Sequence, residues 1–465
     1  MKPFNRVSEA DLAYFESVLP GRVFSGDAIS TDYDHDEMTI YGHYAPEAVL
    51  QAQSAEEISA VLRYCNGRNI AVTPRGAGTG LCGGCVATEG GVVLSTERMK
   101  RVLEVDTRNM TATVEPGVLL MEFPKALEGT GLFYPPDPGE KTATMGGNAM
   151  TNAGGMRAVR YGVTRDYVLG MEVVLADGEI LTLGGKNVKT SSGYSLINLM
   201  VGSEGTLGIL TKLTVKLIPE PKANVSLLIP FEHLEACIEA VPEVLACGCE
   251  PTAVEFMERE VIACSETYLG KQFPDTSCDA YLLVRLDGAS AESLQPMIER
   301  LTDVALGLGA QDVLLADTDE RKESIWNARG AFLEAIKGST PAMDECDVVV
   351  PRDRIAAFVK HSVDIGREEG VRICSFGHAG DGNLHLYICQ DGLKETVWTE
   401  VVERVMERLY AQARELGGEV SGEHGIGHAK RTFLAESMGQ RQISLMRGIK
   451  AAFDPNGILN PGKVV

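Results

Sequence analysis

Two histidines flank a Gly-rich turn at residues 377–385, which read Gly-His-Ala-Gly-Asp-Gly-Asn-Leu-His. An Asp-Gly pair favours a two-residue hairpin turn, because both central positions tolerate positive φ. If Asp381 and Gly382 form that turn, His378 lies directly across from His385, with Cβ atoms roughly 4.5–5.5 Å apart. That separation suits two imidazoles that share one metal ion.

A carboxylate and a third imidazole follow in the stretch Ser-Gly-Glu-His-Gly at residues 421–425. Two imidazole nitrogens and one carboxylate oxygen, from His378, His385 and Glu423, can hold a divalent ion and leave positions for a substrate. His424 directly follows Glu423, so an extended backbone would turn its side chain away. We therefore predict metal ligation by the first three residues and a general-base role for His424. The alternative is a pair of solvated or core histidines beside a hairpin.

The first Gly-rich stretch, residues 74–84, reads Pro-Arg-Gly-Ala-Gly-Thr-Gly-Leu-Cys-Gly-Gly. Successive glycines let backbone N–H groups turn inward and form a concave anion site that suits a pyrophosphate. The spacing Gly78-x-Gly80-x-x-Gly83 also matches the dinucleotide fingerprint, but that motif must open a helix. Here the chain runs through residues 86–91 into another strand, so we reject the nicotinamide interpretation. A structural turn without a ligand is the remaining alternative.

Two further stretches combine small residues with side-chain amides. The second stretch spans Asp137-Pro138, residues 142–148 and residues 151–155, and the third spans residues 201–209. Their donors and acceptors suit a flat heterocycle and its ribityl chain. Each stretch alone is ordinary loop chemistry, but with the first stretch they predict a shared cofactor groove.

Arg329 follows Ile-Trp-Asn-Ala in a segment with helical spacing. Its planar guanidinium is suited to clamp a substrate carboxylate through two parallel hydrogen bonds. On spacing alone it could equally be a solvated surface residue, so both interpretations stay open at this point.

The 465 residues are 44% hydrophobic and 23% charged, as in globular proteins of two or three domains. A formal net charge of -22 argues against nucleic acid or an anionic membrane as the main partner. The sequence has no run of about 18 apolar residues, so no transmembrane helix is predicted. The N-terminus leads into an amphipathic segment without the apolar core of a signal peptide.

Eleven cysteines are odd in number and follow no framework spacing, so we expect reduced thiols. Cys82-x-x-Cys85 has no second pair, and small buried side chains explain it better than a cluster or a zinc site. The sequence has no four-cysteine iron–sulfur spacing. If the protein transfers electrons, another subunit must take them onward.

Hydrophobic periodicity predicts two regions joined by a linker at Pro219-Glu220-Pro221. Before the linker we expect helices at 8–19 and 55–65, strands at 70–73, 91–95, 111–115, 169–176, 179–183 and 208–218, and a hairpin at Asp177-Gly178. After the linker we expect strands at 225–229, 253–257, 281–286 and 312–315, with helices at 232–246 and 291–306. That β-α-β-β-α-β order predicts a ferredoxin-like α+β unit. Further helices are expected at 319–337, 352–368 and 394–416.

In combination, these motifs resemble the FAD-linked oxidase family, and within it the glycolate oxidase FAD-subunit and D-lactate dehydrogenase branch. The stretches that carry the resemblance are residues 74–84, 144–155, 201–209, 377–385, 421–427 and 459–463. The resemblance implies an α+β chain with an FAD-binding domain of the vanillyl-alcohol oxidase (PCMH) type and a ferredoxin-like α+β cap domain. The implied divisions are an N-terminal helical segment 1–42, the FAD-binding domain 43–221, the cap or substrate domain 222–420, and a C-terminal segment 421–465 that returns to the flavin site.

The resemblance also assigns residues by position. His378, His385 and Glu423 match metal ligands, His424 matches the base, and Arg329 matches a carboxylate-binding arginine. The first Gly-rich stretch lacks the histidine that links flavin covalently in some relatives, so non-covalent FAD is expected. The residues implied in FAD binding are Pro74, Arg75, Gly76, Ala77, Gly78, Thr79, Gly80, Pro138, Thr144, Gly146, Gly147, Asn148, Asn152, Ala153, Gly155, Gly205, Ile209 and Asn460.

One departure from the related 2-hydroxyglutarate branch bears on substrate choice. That branch places a Lys two residues before the Asp of a Lys-Tyr-Asp motif, whereas the matching stretch here is Glu345-Cys346-Asp347, and Leu333 replaces a polar residue. A glutamate repels a second carboxylate. We therefore expect D-lactate or glycolate as substrate, with D-2-hydroxyglutarate as the alternative.

The resemblance implies an FAD-dependent dehydrogenase of a short 2-hydroxy acid that also uses a divalent metal, Fe²⁺, Zn²⁺ or Mn²⁺. Electrons are expected to pass to a partner, either an electron-transferring flavoprotein or an iron–sulfur protein subunit, within a hetero-oligomer. The expected location is the cytoplasm, with any membrane association supplied by that partner. Two other classes stay open: a metal-dependent hydrolase that uses the same His/Glu cluster, and a non-catalytic flavin-binding subunit.

Overall fold

The described residues, 3–465, of this computed structural model form a mixture of helices and strands. The strands are β1 Val23–Ser25, β2 Ala48–Gln51, β3 Val72–Arg75, β4 Val92–Ser95, β5 Val102–Asp106, β6 Thr111–Val114, β7 Leu132–Phe133, β8 Val168–Val174, β9 Ile180–Gly184, β10 Ile209–Lys216, β11 Ile218–Pro219, β12 Ala223–Phe231, β13 Ala253–Glu258, β14 Ala280–Gly288, β15 Leu314–Ala316, β16 Met343–Val349, β17 Arg372–His378 and β18 Asn383–Cys389. The helices are α1 Glu9–Val18, α2 Ala55–Arg68, α3 Phe123–Leu127, α4 Met145–Thr151, α5 Ala158–Tyr161, α6 Leu196–Met200, α7 Leu234–Glu239, α8 Val241–Ala246, α9 Arg259–Leu269, α10 Ala291–Gly307, α11 Asp319–Gly330, α12 Phe332–Lys337, α13 Ile355–Glu369, α14 Glu395–Glu415, α15 Arg431–Ser437 and α16 Gln440–Phe453.

The chain folds into two units, and each unit is assembled from separate segments. Unit 1 comprises the residues up to 153 together with 163–220 and 423–465, and unit 2 comprises 154–162 and 221–422. The break after Glu220 falls within the Pro-Glu-Pro linker. All eleven cysteines are free thiols, as expected.

Unit 1 contains two main sheets. In the first, with strand order β1-β2-β4-β3, the central strand β4 pairs in parallel with both β2 and β3. Helix α2 connects β2 to β3 and buries one apolar face, which includes Ile58, Val61 and Leu62. The second sheet, β5-β6-β10-β8-β9, is antiparallel. Its β8–β9 hairpin confirms the turn at Asp177-Gly178, and Gly178 takes the positive φ of 84° that this turn needs.

The C-terminal tail packs on the edge of the first sheet. We expected the strand before the first Gly-rich stretch to end at residue 73, but β3 continues through Pro74 to Arg75. Proline is tolerated there because β3 is the last strand of its sheet and needs fewer N–H donors. On the free side of β3, Val72 N donates to Ile458 O at 2.8 Å and Asn460 N donates to Val72 O at 2.8 Å.

Unit 2 is built on an antiparallel sheet with the strand order β15-β12-β14-β13-β17-β18-β16. The first four strands in this order are the fourth, first, third and second of the unit along the chain, which confirms the ferredoxin-like prediction. The hairpin β17–β18 and the strand β16 extend that sheet beyond β13. Helix α9, between β13 and β14, was not expected.

Two long predicted helices are each divided in the structure. The helix expected at 232–246 is split into α7 and α8, because Pro242 is accommodated only in the first turn of a new helix. The helix expected at 319–337 is split into α11 and α12 at Ala331, directly after Gly330, a residue type that weakens helices. No helix among residues 3–465 is both long and apolar enough to cross a bilayer.

Helix α1 is anchored by one fully buried carboxylate, Asp11. Ser8 N donates to Asp11 Oδ2 at 2.8 Å, Tyr64 Oη donates to Oδ1 at 2.8 Å, and Arg68 Nε donates to Oδ1 at 2.9 Å. Burial alone would raise the pKa of the Asp11 carboxyl, but these hydrogen bonds outweigh it and hold the pKa well below its usual value.

Replacing Asp11 by Asn should lower the free energy of unfolding at neutral pH by about 1–3 kcal/mol, because buried donors lose a charged acceptor. A carboxyl pKa depressed by folding contributes stability above its unfolded-state value of about 3.9, and this contribution is lost as the pH falls towards the folded-state value. The difference in Tm between wild type and Asp11→Asn should therefore narrow in acid. Glu9→Gln, on the exposed face of the same helix, is the matched control. A difference that stays constant down to about pH 2 would contradict this account.

Candidate active site

The two histidines of the β17–β18 hairpin lie in a register that differs from the predicted one. His378 pairs with Asn383 and Phe376 pairs with His385, so residues 379–382 form a four-residue loop instead of a two-residue turn. Gly382 has the positive φ, 91°, that a tight turn would use. In the longer loop its backbone also lies close to Val350 O, and a Cβ on Gly382 would be only 2.1 Å from that oxygen. A shift by two residues preserves the face of a strand. Both imidazoles therefore still lie on one side of the sheet, with ring centroids 5.2 Å apart.

His378 is held by a buried carboxylate that the sequence analysis did not identify, Glu255 on β13. His378 Nδ1 lies 2.8 and 2.9 Å from the two carboxylate oxygens of Glu255. A carboxylate on one ring nitrogen is the usual support of a histidine that binds a metal through its other nitrogen. An acidic residue inside the apolar run Ala-Val-Glu-Phe-Met was the signal that could have revealed Glu255.

Arg329, on α11, contacts the other side of the same carboxylate. Its Nε donates to Glu255 Oε2 at 2.9 Å, and its Nη2 lies 2.6 Å from that oxygen. The guanidinium is buried and stacks over the Phe376 ring, 4.5 Å from its centroid. Burial would raise the pKa of the Glu255 carboxyl, but His378 and Arg329 outweigh it and lower that pKa. Arg329 is thus a buried, paired residue, and the alternative of a solvated surface residue is wrong.

His385, on β18, faces two carboxylates of the neighbouring strand β16. Its Nδ1 lies 3.7 Å from Glu345 Oε1 and 3.8 Å from Asp347 Oδ1. Glu345 also accepts a hydrogen bond of 2.9 Å from Tyr387 Oη. Burial, followed by the adjacent Glu345 carboxylate, raises the pKa of the Tyr387 hydroxyl well above its usual value. Sequence reasoning identified Glu345 but not its partner Tyr387.

Asp347 positions the segment that leads to the predicted ligand Glu423. Asp347 Oδ2 accepts from Ser421 Oγ at 2.7 Å and from Gly422 N at 3.1 Å, while Oδ1 accepts from Asn383 Nδ2 at 2.7 Å. Glu423 is the next residue of the chain after Gly422, about 3.8 Å from Cα to Cα.

In unit 1, Glu423 and His424 lie side by side. His424 Nε2 is 3.6 Å from Glu423 Oε1, so the expectation that their side chains would point apart is wrong. The reason is that the backbone here is bent, with a φ of 83° at Gly425 and 51° at Gly427, and does not form an extended strand. The half-buried Glu204 holds this bend, because its two carboxylate oxygens accept from Ile426 N at 2.7 Å and Gly427 N at 2.8 Å.

The three Gly-rich stretches contact one another within unit 1. A Cβ added to Gly76 would lie 2.5 Å from Thr144 Oγ1, and one added to Gly205 would lie 2.3 Å from Pro74 Cγ. These approaches require glycine, because a real Cβ does not come so close to another heavy atom. Asn460, from the C-terminal tail, joins the first and third stretches by donating to Gly84 O at 2.8 Å and Glu204 O at 2.7 Å.

This assembly offers polar groups suited to FAD. Among residues 3–465, the buried atoms Asn148 Nδ2, Ser203 Oγ and Asn460 Oδ1 make no hydrogen bond within the chain. Buried polar atoms are normally paired, so donors and acceptors of this kind indicate a polar ligand. Two amides and a hydroxyl beside close-packed glycine backbone fit the heterocycle and ribityl chain of a flavin.

The structure places the other residues expected to bind FAD as follows. Arg75 directs its guanidinium to the carbonyl oxygens of Asp32, at 2.6 Å, and His35, at 2.8 Å. Gly155 lies in unit 2. The remaining positions are residues 77–80 in the first stretch, Pro138 in the loop before α4, Gly146 and Gly147 in α4, Asn152 and Ala153 directly after α4, and Ile209 at the start of β10.

Comparison with known proteins agrees with these observations. Residues 220–464 match the family described as FAD linked oxidases, C-terminal domain, and residues 46–184 match the family described as FAD binding domain. The chain is 51% identical to a D-lactate dehydrogenase of Anaerostipes hadrus, over 99% of this chain and 98% of that protein. It is 41% identical to the glycolate oxidase subunit GlcD of Bacillus subtilis (strain 168), over 93% and 91%.

Solved structures with the same fold include p-cresol methylhydroxylase with substrate bound, at a TM-score of 0.82 and 18% identity over 99% of this chain and 98% of that one. A 4-ethylphenol oxidase from Gulosibacter chungangensis, in its isoeugenol complex, has a TM-score of 0.81 at 22% identity over 100% and 98%. The predicted fold class, a PCMH-type FAD-binding domain with a ferredoxin-like α+β domain, is thereby confirmed. The chain belongs to the family of FAD-linked oxidases, and it is an FAD-dependent oxidoreductase.

Proposed function

We propose that this chain is an FAD- and divalent-metal-dependent dehydrogenase that oxidises a short 2-hydroxy acid, D-lactate or glycolate, to the 2-oxo acid. The observation that supports it best is the buried pair His378 and His385 on one sheet face, with Glu255 on His378 Nδ1. Relatives over nearly the full chain carry the names D-lactate dehydrogenase and glycolate oxidase subunit. Membership of an FAD-linked family favours redox chemistry over the hydrolase and over a silent flavin-binding subunit.

The donor set fits a divalent transition metal. His378, His385 and Glu423 would supply two imidazole nitrogens and one carboxylate oxygen, the ligand types preferred by Fe²⁺, Zn²⁺ and Mn²⁺. Glu255 would act behind His378 by keeping its Nδ1 occupied. A metal held there would supply a positive charge that lowers the pKa of the substrate hydroxyl, and bound FAD would supply the hydride acceptor.

Two residues would carry out proton removal and substrate orientation. His424 would take the proton from the 2-hydroxyl oxygen as general base. Arg329 would hold the substrate carboxylate, because Nε and one N–H of Nη2 face Glu255 and the guanidinium has further N–H donors on Nη1 and Nη2. Holding the carboxylate orients Cα so that one face of the substrate is presented to the flavin.

We further propose that electrons leave to a partner, either an electron-transferring flavoprotein or an iron–sulfur protein subunit, in a hetero-oligomer. The absence of a four-cysteine iron–sulfur spacing from the sequence supports this proposal, since it leaves the chain without a cluster motif of its own. A cytoplasmic location stays a prediction. Faster reoxidation of the reduced flavin by oxygen than by either acceptor would argue against a partner protein.

Removing the metal should abolish turnover while FAD stays bound. The measurement is anaerobic bleaching of the flavin absorbance by D-lactate after treatment with a strong chelator, then after adding back Zn²⁺, Mn²⁺ or Fe²⁺ singly. His385→Ala should show the same loss without chelator, whereas His233→Ala, at an exposed position, should not. Full activity in metal-free protein would refute the metal role.

Replacing His424 by Ala should lower kcat by about 10²- to 10⁴-fold, because the proton acceptor is lost. The flavin content should stay that of wild type, as read from the absorbance ratio of flavin to protein. Added imidazole should restore part of the rate. An unchanged kcat would remove His424 as the base.

Replacing Glu345 by Gln should raise the kcat/KM ratio of D-2-hydroxyglutarate to D-lactate by about tenfold, since one unfavourable charge contact of about 1.4 kcal/mol is removed. Tyr387→Phe is the matched control, because it removes the hydrogen bond of 2.9 Å to Glu345 and keeps the carboxylate. A ratio that is equal in wild type and Glu345→Gln would show that Glu345 does not exclude the dicarboxylate.

A further inference from the structure

A second group of metal-ligand side chains lies in the N-terminal part of unit 1, remote in sequence from the residues above. His35 Nδ1 is 2.7 Å and His43 Nδ1 is 2.8 Å from the same oxygen, Asp34 Oδ1. The two imidazole rings have centroids 5.0 Å apart and are tilted by 54°. The ligand atoms of all three residues lie within 4.8 Å of one another.

Two imidazole nitrogens and a carboxylate oxygen form a ligand set for a borderline transition metal. Such an ion binds imidazole nitrogen at about 2.0–2.1 Å and carboxylate oxygen at about 2.0–2.2 Å, with donors spread around it. Small rotations of the two rings away from Asp34 Oδ1 would place the three donors around one ion. Three protein ligands leave a fourth position for water.

The backbone of this segment is already held in the required arrangement. Tyr44 N donates to Asp34 O at 2.6 Å, which closes the loop and brings His43 back beside Asp34. Gly42, with a φ of 99°, supplies the turn. Arg75 donates to the carbonyl oxygen of His35 at 2.8 Å and fixes the other side of the segment. Binding an ion therefore requires only side-chain movement, which lowers the entropic cost.

The three side chains remain accessible to an ion from solution. The exposed fractions are 58% for the His43 side chain, 28% for His35 and 20% for Asp34. A half-exposed site of this kind can exchange its metal with the medium.

The same segment contacts the first Gly-rich stretch directly. Glu37 N donates to Gly80 O at 3.1 Å, and Asp36 Oδ2 accepts from Gly83 N at 2.5 Å. The Arg75 guanidinium, which holds His35, belongs to the start of that stretch. An ion that cross-links Asp34, His35 and His43 would therefore restrain the segment on which the Gly-rich backbone rests.

We propose that Asp34, His35 and His43 form a second site for a divalent transition metal of the zinc class, which stabilises the segment 31–44 against the first Gly-rich stretch. The proposal does not rest on the proposed function. It concerns residues of unit 1 alone, and the difference between variant and wild type reports this site whether or not His378 and His385 hold an ion.

The test is a titration of FAD-bound, chelator-treated full-length protein with Zn²⁺ by calorimetry, and with Co²⁺ by visible absorption. Loss of an outer-shell partner alone costs a metal site about 10- to 100-fold in affinity, so loss of a ligand should cost at least as much. His43→Ala and Asp34→Asn should therefore each bind one equivalent fewer per chain. His233→Ala, an exposed histidine 4.0 Å from Asp279, is the matched control and should bind as wild type does.

A second readout tests the consequence for the cofactor. Zn²⁺ should slow FAD release from wild type and leave the release rate of His43→Ala unchanged, while D-lactate bleaches the bound flavin of both proteins at the same rate. Identical isotherms and Co²⁺ spectra for His43→Ala and wild type would overturn the proposal. Asp34→Asn keeps the size of the side chain, and the circular dichroism spectrum of each variant should match that of wild type. These two controls separate loss of the metal site from misfolding.

Discussion

The geometry of unit 2 depends on one buried carboxylate, Glu255, held between Arg329 and His378. Taking an ion out of water costs several kcal/mol, and only close partners of opposite charge or matching hydrogen bonds compensate for it. Here a strand, β13, and a helix, α11, meet through that carboxylate, so the ion pair also positions the elements. Because Glu255 contacts His378 Nδ1 with both oxygens, it also fixes the orientation of that imidazole.

In unit 1, the three Gly-rich stretches of backbone lie within contact distance of one another. Glycine at positions 76 and 205 allows this, because a Cβ would overlap Thr144 or Pro74. The tail then completes the arrangement through Asn460, which contacts the first and third stretches. Asn148 Nδ2, Ser203 Oγ and Asn460 Oδ1 are buried in this packing without a hydrogen-bond partner in the chain, and they suit a flavin. The same close packing therefore holds the stretches together and presents polar atoms to a cofactor.

Local patterns predicted much of this molecule. The Asp177-Gly178 hairpin and the β-α-β-β-α-β order depend on turn residues and hydrophobic periodicity. Both signals act over a few neighbouring residues, so they can be read without knowing the tertiary contacts. The face shared by His378 and His385 was also predictable, since a strand alternates with period two and a slip by two residues preserves it. The length of the loop between β17 and β18 was not predictable, because Gly382 contacts Val350, the residue after β16, which is distant in sequence.

The sequence by itself determined the residue types available for chemistry, the Gly-rich stretches and the order of the elements. Only the tertiary structure decided which side chain each buried carboxylate contacts. Glu255 contacts His378, which lies more than a hundred residues later in the chain, and Glu345 contacts Tyr387 because β16 pairs with β18. It likewise decided that Arg329 is paired and buried. The physical reason is that long-range strand register and burial set these contacts, and neither is encoded in the spacing of neighbouring residues.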